Sequence, residues 1–195
     1  MSESDRELIF QNMKTRRAVR SFTGESVPDD DLWQIVQAGR WAANGGNLRP
    51  HRFLIPRDPE TIRKVRSFSP GMLAEPSAII AILIDWDQYR REFSSIEQST
   101  IVYVDVGTAA QNMLNMAHAL GVGSCPVTSF SQSGTAGVFG LPSNLSVELL
   151  IMLGQPKPRD RQLTADAPKS VTTRDLTSWE TFGNHDRNGS SGKGG

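Results

Sequence analysis

Cysteine is all but missing from this 195-residue chain, with Cys125 standing alone. A single thiol excludes an intrachain disulfide and any zinc site built from several thiolates, and it fits a reducing compartment. Net charge is missing as well. The 21 Lys and Arg balance the 21 Asp and Glu, so no global basic field exists to hold DNA, RNA or an anionic membrane, and any anion site must be local. Long apolar runs are absent: the longest, Ala78–Ile84, has seven residues, far short of the roughly 20 that span a bilayer as a helix. Met1-Ser2-Glu3-Ser4-Asp5 shows no basic region leading into an apolar one, so no secretory leader is expected. These absences predict a cytoplasmic protein with no nucleic-acid or membrane partner.

Several catalytic signatures are also lacking. Gly121-Val122-Gly123-Ser124-Cys125-Pro126 has no third glycine and follows a helical pattern where a dinucleotide turn needs a strand. No Walker A sequence, Gly-x-Ser-x-Gly elbow or His-Glu-x-x-His occurs. The three histidines, His51, His118 and His185, are scattered, which argues against a metal site or a Ser-His-Asp triad.

What is present reads as one folded unit, residues 1–182, followed by a disordered Gly/Ser-rich tail, 183–195, without a large apolar residue. Helices are expected over Arg6–Lys14, from Val27-Pro28-Asp29-Asp30 onward, over Asp58–Arg66, across Gln98–Leu120 and near Gly134–Phe139. The Gln98–Leu120 helix carries a broad stripe of Val102, Val106, Ala109, Ala110, Met113, Ala117 and Leu120. Strands are expected over His51–Ile55, Ser77–Ile84, Cys125–Phe130 and Val147–Leu153; Ser77–Ile84 is continuously apolar and so predicts burial on both faces. Strands mixed with helices predict a sheet with helices packed on it.

One feature breaks the charge balance: Lys14-Thr15-Arg16-Arg17-Ala18-Val19-Arg20 places four cations in seven residues. Such a cluster can chelate a phosphate, since the planar guanidinium fork gives two parallel hydrogen bonds to phosphate oxygens. It can equally be a solvated loop. Nucleic-acid binding is the weaker alternative, because no aromatic residues interleave with the cations.

Downstream lie Ala42-Ala43-Asn44-Gly45-Gly46-Asn47-Leu48-Arg49-Pro50-His51-Arg52-Phe53, then Asp105-Val106-Gly107-Thr108-Ala109-Ala110-Gln111-Asn112 on the long helix, then Gly121-Val122-Gly123-Ser124-Cys125-Pro126. With the basic cluster, these four motifs in this order resemble the nitroreductase family of flavin enzymes, and the resemblance covers essentially Arg16–Phe182. It implies an α+β fold with a mixed sheet flanked by helices, working as an intertwined homodimer with FMN at the subunit interface. It further implies that Arg16, Arg17, Ala18 and Arg20 meet the FMN phosphate, with Lys169 reaching it from the C-terminal segment. Ala43, Asn44, Asn47 and Arg49 would touch the isoalloxazine or ribityl chain, and backbone amides at Thr128 and Ser129 would approach flavin N5 and O4. The activity implied is two-electron transfer between NAD(P)H and a small nitroaromatic or quinone-like acceptor by a ping-pong mechanism. A non-enzymatic flavin carrier or sensor is a further possibility.

The departures from the family pattern are local. Ala18 stands where serine is usual and removes a hydroxyl donor; Ala43-Asn44 replaces a Pro-Ser pair; His51 replaces a tryptophan and is expected to be structural. Arg49 stands where glutamine is common, either placing a fixed positive charge beside the flavin or pairing with a nearby carboxylate. Cys125 and Asp105 are expected to be structural, and Trp33, Trp41 and Trp179 to lie in the core or a dimer interface. Ser67–Leu73, Cys125–Phe130 and Ser178–Gly183 are also similar to the catalytic subunit of cyclic dipeptide oxidases, a branch that passes electrons to oxygen and needs a small accessory subunit.

Overall fold

The computed structural model describes residues 1–92, 99–158 and 171–185. The chain forms two compact units, residues 1–157 and 158–195, taken separately. Residues 186–195 of the expected tail lie outside the described residues, as does Lys169.

The larger unit is built on four strands, β1 (His51–Leu54), β2 (Ala78–Asp85), β3 (Gly123–Val127) and β4 (Leu145–Gly154), in the spatial order β1-β2-β4-β3. The expected α+β class is what forms. All three pairings are antiparallel, so the sheet among the described residues is antiparallel where a mixed one was expected. The expected strand Cys125–Phe130 starts earlier and stops at Val127, because its pairing with β4 runs from Gly123 opposite Gly154 to Val127 opposite Leu150.

Among the described residues six helices surround the sheet: α1 (Glu3–Thr15), α2 (Asp29–Arg40), α3 (Pro59–Ser67), α4 (Trp86–Glu92), α5 (Ser99–Ala119) and α6 (Gln132–Phe139). Their starts follow local chemistry. Ser2 and Asp5 cap α1 reciprocally, and the Asp58 carboxylate accepts from Thr61 N at 2.9 Å to begin α3. Helix α2 opens on Asp29-Asp30-Asp31, which suits the positive end of its dipole.

Each face of the sheet carries its own core. Ile80, Ile82, Ile84, Ile151 and Leu153 pack under α2 and α5 with Ile35, Val102, Val106 and Met113. Ile79, Ala81, Leu83, Leu150 and Met152 pack on the other face with Ile62 and Val65 of α3, and with Cys125 and Val127. Cover on both faces explains why β2 is apolar without alternation. Cys125, 2 % exposed, is a packing residue here. Helices α2 and α5 approach so closely that a Cβ at Gly39 would stand 2.1 Å from Met113 Cε.

Helix α1 differs from the rest in burying no residue. Leu8, Phe10 and Met13 are exposed, and the helix is tied to the C-terminal end of α5 by Asn12 Nδ2 donating to Asn115 O at 3.0 Å and by Thr15 Oγ1 against His118 Nε2 at 2.9 Å. Trp33 and Trp41 are exposed as well, at 61 % and 68 %, which removes them from the core. In the smaller unit, residues 171–185 form a 3-10 turn, Arg174–Leu176, opened by Asp175 accepting from Thr172 N at 2.8 Å; Trp179 is 38 % exposed.

Candidate functional site

The basic segment leaves α1 and runs onto the β3 edge. Val19 N donates to Ser124 O at 2.9 Å, and Phe22 bridges Pro156 beyond the end of β4. This fixes the backbone through Arg16, Arg17, Ala18 and Arg20. The Ala18 side chain packs toward the core beneath, leaving only its backbone to face a ligand. The three arginines are not equivalent. Arg17 Nη1 folds back to donate to Lys14 O at 2.7 Å and Arg16 O at 2.9 Å, closing the C-terminus of α1. Among the described residues the guanidinium groups of Arg16 and Arg20 have neither hydrogen bond nor ion pair. Thr128 and Ser129 are exposed just past the other end of β3, and Ser129 O accepts from Gly71 N at 3.0 Å.

The second cluster is the loop between α2 and β1, held in place by the long helix. The carboxylate of Asp105, itself buried, accepts from Gly45 N at 2.9 Å; Thr108 Oγ1 donates to Ala43 O at 2.8 Å; and Asn112 Nδ2 donates to Ala38 O at 3.2 Å. The Asp105–Asn112 motif is therefore a clamp on this loop. A Cβ at Gly45 would lie 2.6 Å from Ile101 Cγ2, so only glycine allows the approach. Further on, Asn47 (φ 58) and Arg49 (φ 49) hold left-handed backbone, which for a bulky residue costs on the order of 1–3 kcal/mol and persists only where the surroundings impose it.

The same loop holds polar atoms with nothing to bind. Asn44 Oδ1, Arg49 Nε and His51 Nδ1 are buried without a hydrogen-bond partner among the described residues. Buried polar groups are normally satisfied, so three orphans within eight residues of chain make this loop a candidate place for a ligand. Of the two alternatives for Arg49, pairing with a carboxylate is not found among the described residues. Arg49 and His51 also line a cleft of about 430 Å³ between α2 and β1, together with Trp33 and Arg40.

His51 is 7 % exposed and its ring lies 5.3 Å from that of Phe53, the structural placement expected. Burial pushes its pKa below the ordinary histidine value; the Asp105 charge opposes this, and Arg52 and Arg49 add to it. Between the folded value and about 6.5 the unfolded chain binds a proton that the folded chain does not, so stability is lost as pH falls through this window. In His51→Phe, which keeps a ring against Phe53, thermal unfolding compared at pH 7 and pH 5 should show a smaller acid loss than in wild type. An equal loss would show that His51 contributes nothing to it.

One hydroxyl escaped sequence reasoning. Ser69 is 1 % exposed and its Oγ has no partner. It sits in the turn after α3 that is laced to the segment beyond β3 through Gly71 N to Ser129 O and Ser131 N to Phe68 O, at 3.0 and 2.7 Å. The Ser67–Leu73 segment was noticeable in the sequence, but nothing there marked its buried hydroxyl.

The two clusters do not meet within one chain. The arginines lie along β3 and the loop leads into β1, the two outer strands, about 14 Å apart at roughly 4.8 Å per strand spacing. They also sit at opposite ends of α5: Asp105 holds the loop and His118 holds the end of α1, about 20 Å apart at roughly 1.5 Å per residue.

Comparison with known proteins matches this arrangement to one family. A protein of Archaeoglobus fulgidus described as a candidate NADH dehydrogenase/NAD(P)H nitroreductase is 28% identical over 166 residues, covering 82% of this chain and 92% of the relative. An NADPH-flavin oxidoreductase of Vibrio harveyi is 25% identical over 75% of this chain and 65% of its own length. Among solved structures, an FMN-dependent nitroreductase of Clostridium difficile shares the fold with a TM-score of 0.73 at 20% identity, covering 89% of this chain and 99% of that one. The model described as the Nitroreductase family matches residues 13–78 and 70–155, and on that coverage the chain belongs to the nitroreductase family.

Proposed function

We propose that this chain is an FMN-dependent oxidoreductase that moves two electrons from NAD(P)H to a small organic acceptor, such as a nitroaromatic or quinone, in alternating half-reactions. The observation that carries this reading is the pair of unsatisfied clusters at opposite sheet edges. Arg16 and Arg20 offer guanidinium groups that are unpaired among the described residues and suited to a phosphate dianion. Asn44 Oδ1 offers an acceptor and Arg49 Nε a donor, the complement of a ring edge that carries both an N–H and a carbonyl. The residues present therefore fit FMN, and its names in relatives, an NADPH-flavin oxidoreductase and an FMN-dependent nitroreductase, agree with that fit.

With the clusters on opposite outer strands, a homodimer with two sites would let each site take its phosphate half from one copy and its ring half from the other. Exposed apolar residues on α1 and on α5, among them Phe10, Met13, Tyr103 and Val104, supply surface for that contact. FMN, when bound, supplies the two-electron chemistry, and the protein's part is to hold and orient it. Arg16 and Arg20 fix the phosphate. Arg49 holds a positive charge at the ring-facing loop, Asp105 keeps that loop in register, and the backbone at Thr128 and Ser129 bounds the other side. Lys169 is assigned to the phosphate on the family pattern alone.

The test is spectroscopic. The purified protein should be a yellow dimer absorbing at about 370 and 450 nm, bleached by NADH or NADPH without oxygen and restored by a quinone. A colourless protein that takes up no FMN would sink the proposal. Bleaching by a cyclic dipeptide and not by NAD(P)H would move the chain to the oxidase branch.

A further inference from the structure

The strand β4 carries a bulge with a carboxylate on it. Leu149 pairs with Ile82 and Val147 with Leu83, which leaves Glu148 as the extra residue between them. Bulges re-aim side chains and recur beside active sites. Here the Glu148 carboxylate accepts from Ser146 Oγ through one oxygen and from Gln132 Nε2 at 3.2 Å through the other. Ser146 is in turn held by Trp86 Nε1, which donates to its Oγ at 2.6 Å. Gln132 Nε2 also donates to Val147 O at 3.1 Å. Burial pushes the Glu148 pKa up while its two donors pull it down.

The position of this cluster gives it meaning. The β3–β4 ladder ends with Val127 opposite Leu150. Two residues further along each strand, the antiparallel register brings Ser129 level with Glu148. The chain there has left the ladder: Thr128 and Ser129 are exposed, Ser131 caps α6, and Gln132 begins it. One side of the 128–131 segment is laced to residues 68–71 by Ser131 N to Phe68 O and Gly71 N to Ser129 O. On the other side, among the described residues, the next residue, Gln132, bonds to Val147 O and Glu148 of β4.

We propose that Glu148 is a positioning residue for the flavin site, fixing the 128–131 segment through Gln132 so that the Thr128 and Ser129 backbone is held where the ring edge docks. This rests on the FMN reading for what the segment faces, but the anchor is a property of the chain itself. A ladder that stops two residues short would leave these amides to the flexibility of a loop, and a side-chain bond from a bulge restores the order without extending the strand. The bulge is then the device by which β4 turns a carboxylate toward α6.

Hydrogen exchange of flavin-free protein measures the anchor. In Glu148→Leu the amides of Ser131 and Gly71, which donate to Phe68 O and Ser129 O, should exchange at least about tenfold faster than in wild type. Glu148→Gln, which keeps an acceptor for Gln132, should recover most of the protection. Gln132→Leu, which also removes the bond to Val147 O, should exchange at least as fast as Glu148→Leu, and the double variant should be no worse than Gln132→Leu, because the Gln132–Glu148 bond is already gone there. A Glu148→Leu chain that fails to fold leaves Gln132→Leu and Glu148→Gln to make the same comparison. In the loaded protein, the FMN dissociation constant and the flavin midpoint potential should shift in Glu148→Leu and return in Glu148→Gln. Unchanged exchange in the leucine variants overturns the anchor. Altered exchange with an unmoved dissociation constant and potential overturns the docking of this segment on the flavin. A protein that binds no FMN overturns the parent reading, which the exchange result distinguishes from loss of the anchor.

Discussion

Replacing Arg16 and Arg20 together by alanine should give a folded protein that leaves gel filtration without its flavin. Among the described residues neither guanidinium has a partner, so its removal strands none of them and the cost falls on the ligand. A charge-assisted hydrogen bond contributes roughly 1.5–3 kcal/mol, and losing two raises the FMN dissociation constant by about 10²- to 10⁴-fold. Arg17→Ala should do far less, since that side chain already closes the end of α1 through Lys14 O and Arg16 O. Full yellow colour in the double variant would refute the phosphate assignment. The same variant tests the shared site. Mixed and refolded in equal amounts with Asn44→Ala/Arg49→Ala, it should regain about a quarter of the wild-type flavin, because half of randomly formed dimers are mixed and each holds one intact site. If each site lay within one chain, the mixture would stay colourless.

Asp105→Leu should be the most damaging single change outside the arginines. The carboxylate accepts from Gly45 N, and leucine would leave that amide without a partner, costing roughly 1–3 kcal/mol of stability. The larger effect is on position. Gly45 is pressed against Ile101, and Asn47 and Arg49 hold left-handed backbone, so the loop is imposed on the chain and relaxes once its clamp is gone. Urea unfolding should show the lost stability, and flavin content should fall well beyond what that loss explains. Asp105→Asn, which keeps an acceptor oxygen, should stay near wild type in both. A leucine variant with full flavin would show that the clamp serves folding only.

Much of the framework could be read from residue order because its signals are local. The uninterrupted apolar run of β2 announced cover on both faces, and the stripe from Val102 to Ala117 on α5 is the face that is buried. The helix α4 was missed because Trp86–Glu92 is short and mostly polar; its start depends on Asp85 accepting from Gln88 N at 3.1 Å, a cap with no apolar period behind it. The site was legible as motifs and illegible as geometry. Nothing in the spacing of Arg16 and Asn44 says that β1 and β3 become the two outer strands, since that follows from which strands pair. Likewise, Arg17 looks the same as Arg16 in sequence, and only the fold shows which of them turns back on the helix end.

On the proposed shared site, the separation of the two clusters across the sheet would tie cofactor retention to protein concentration. A lone subunit offers either a phosphate grip or a ring cradle at each edge, and half of the contacts bind much less than half as well on a logarithmic scale of affinity. In the proposed homodimer flavin and association would reinforce one another: each bound cofactor would act as a cross-link between copies, and dilution that parts the subunits would also release the colour.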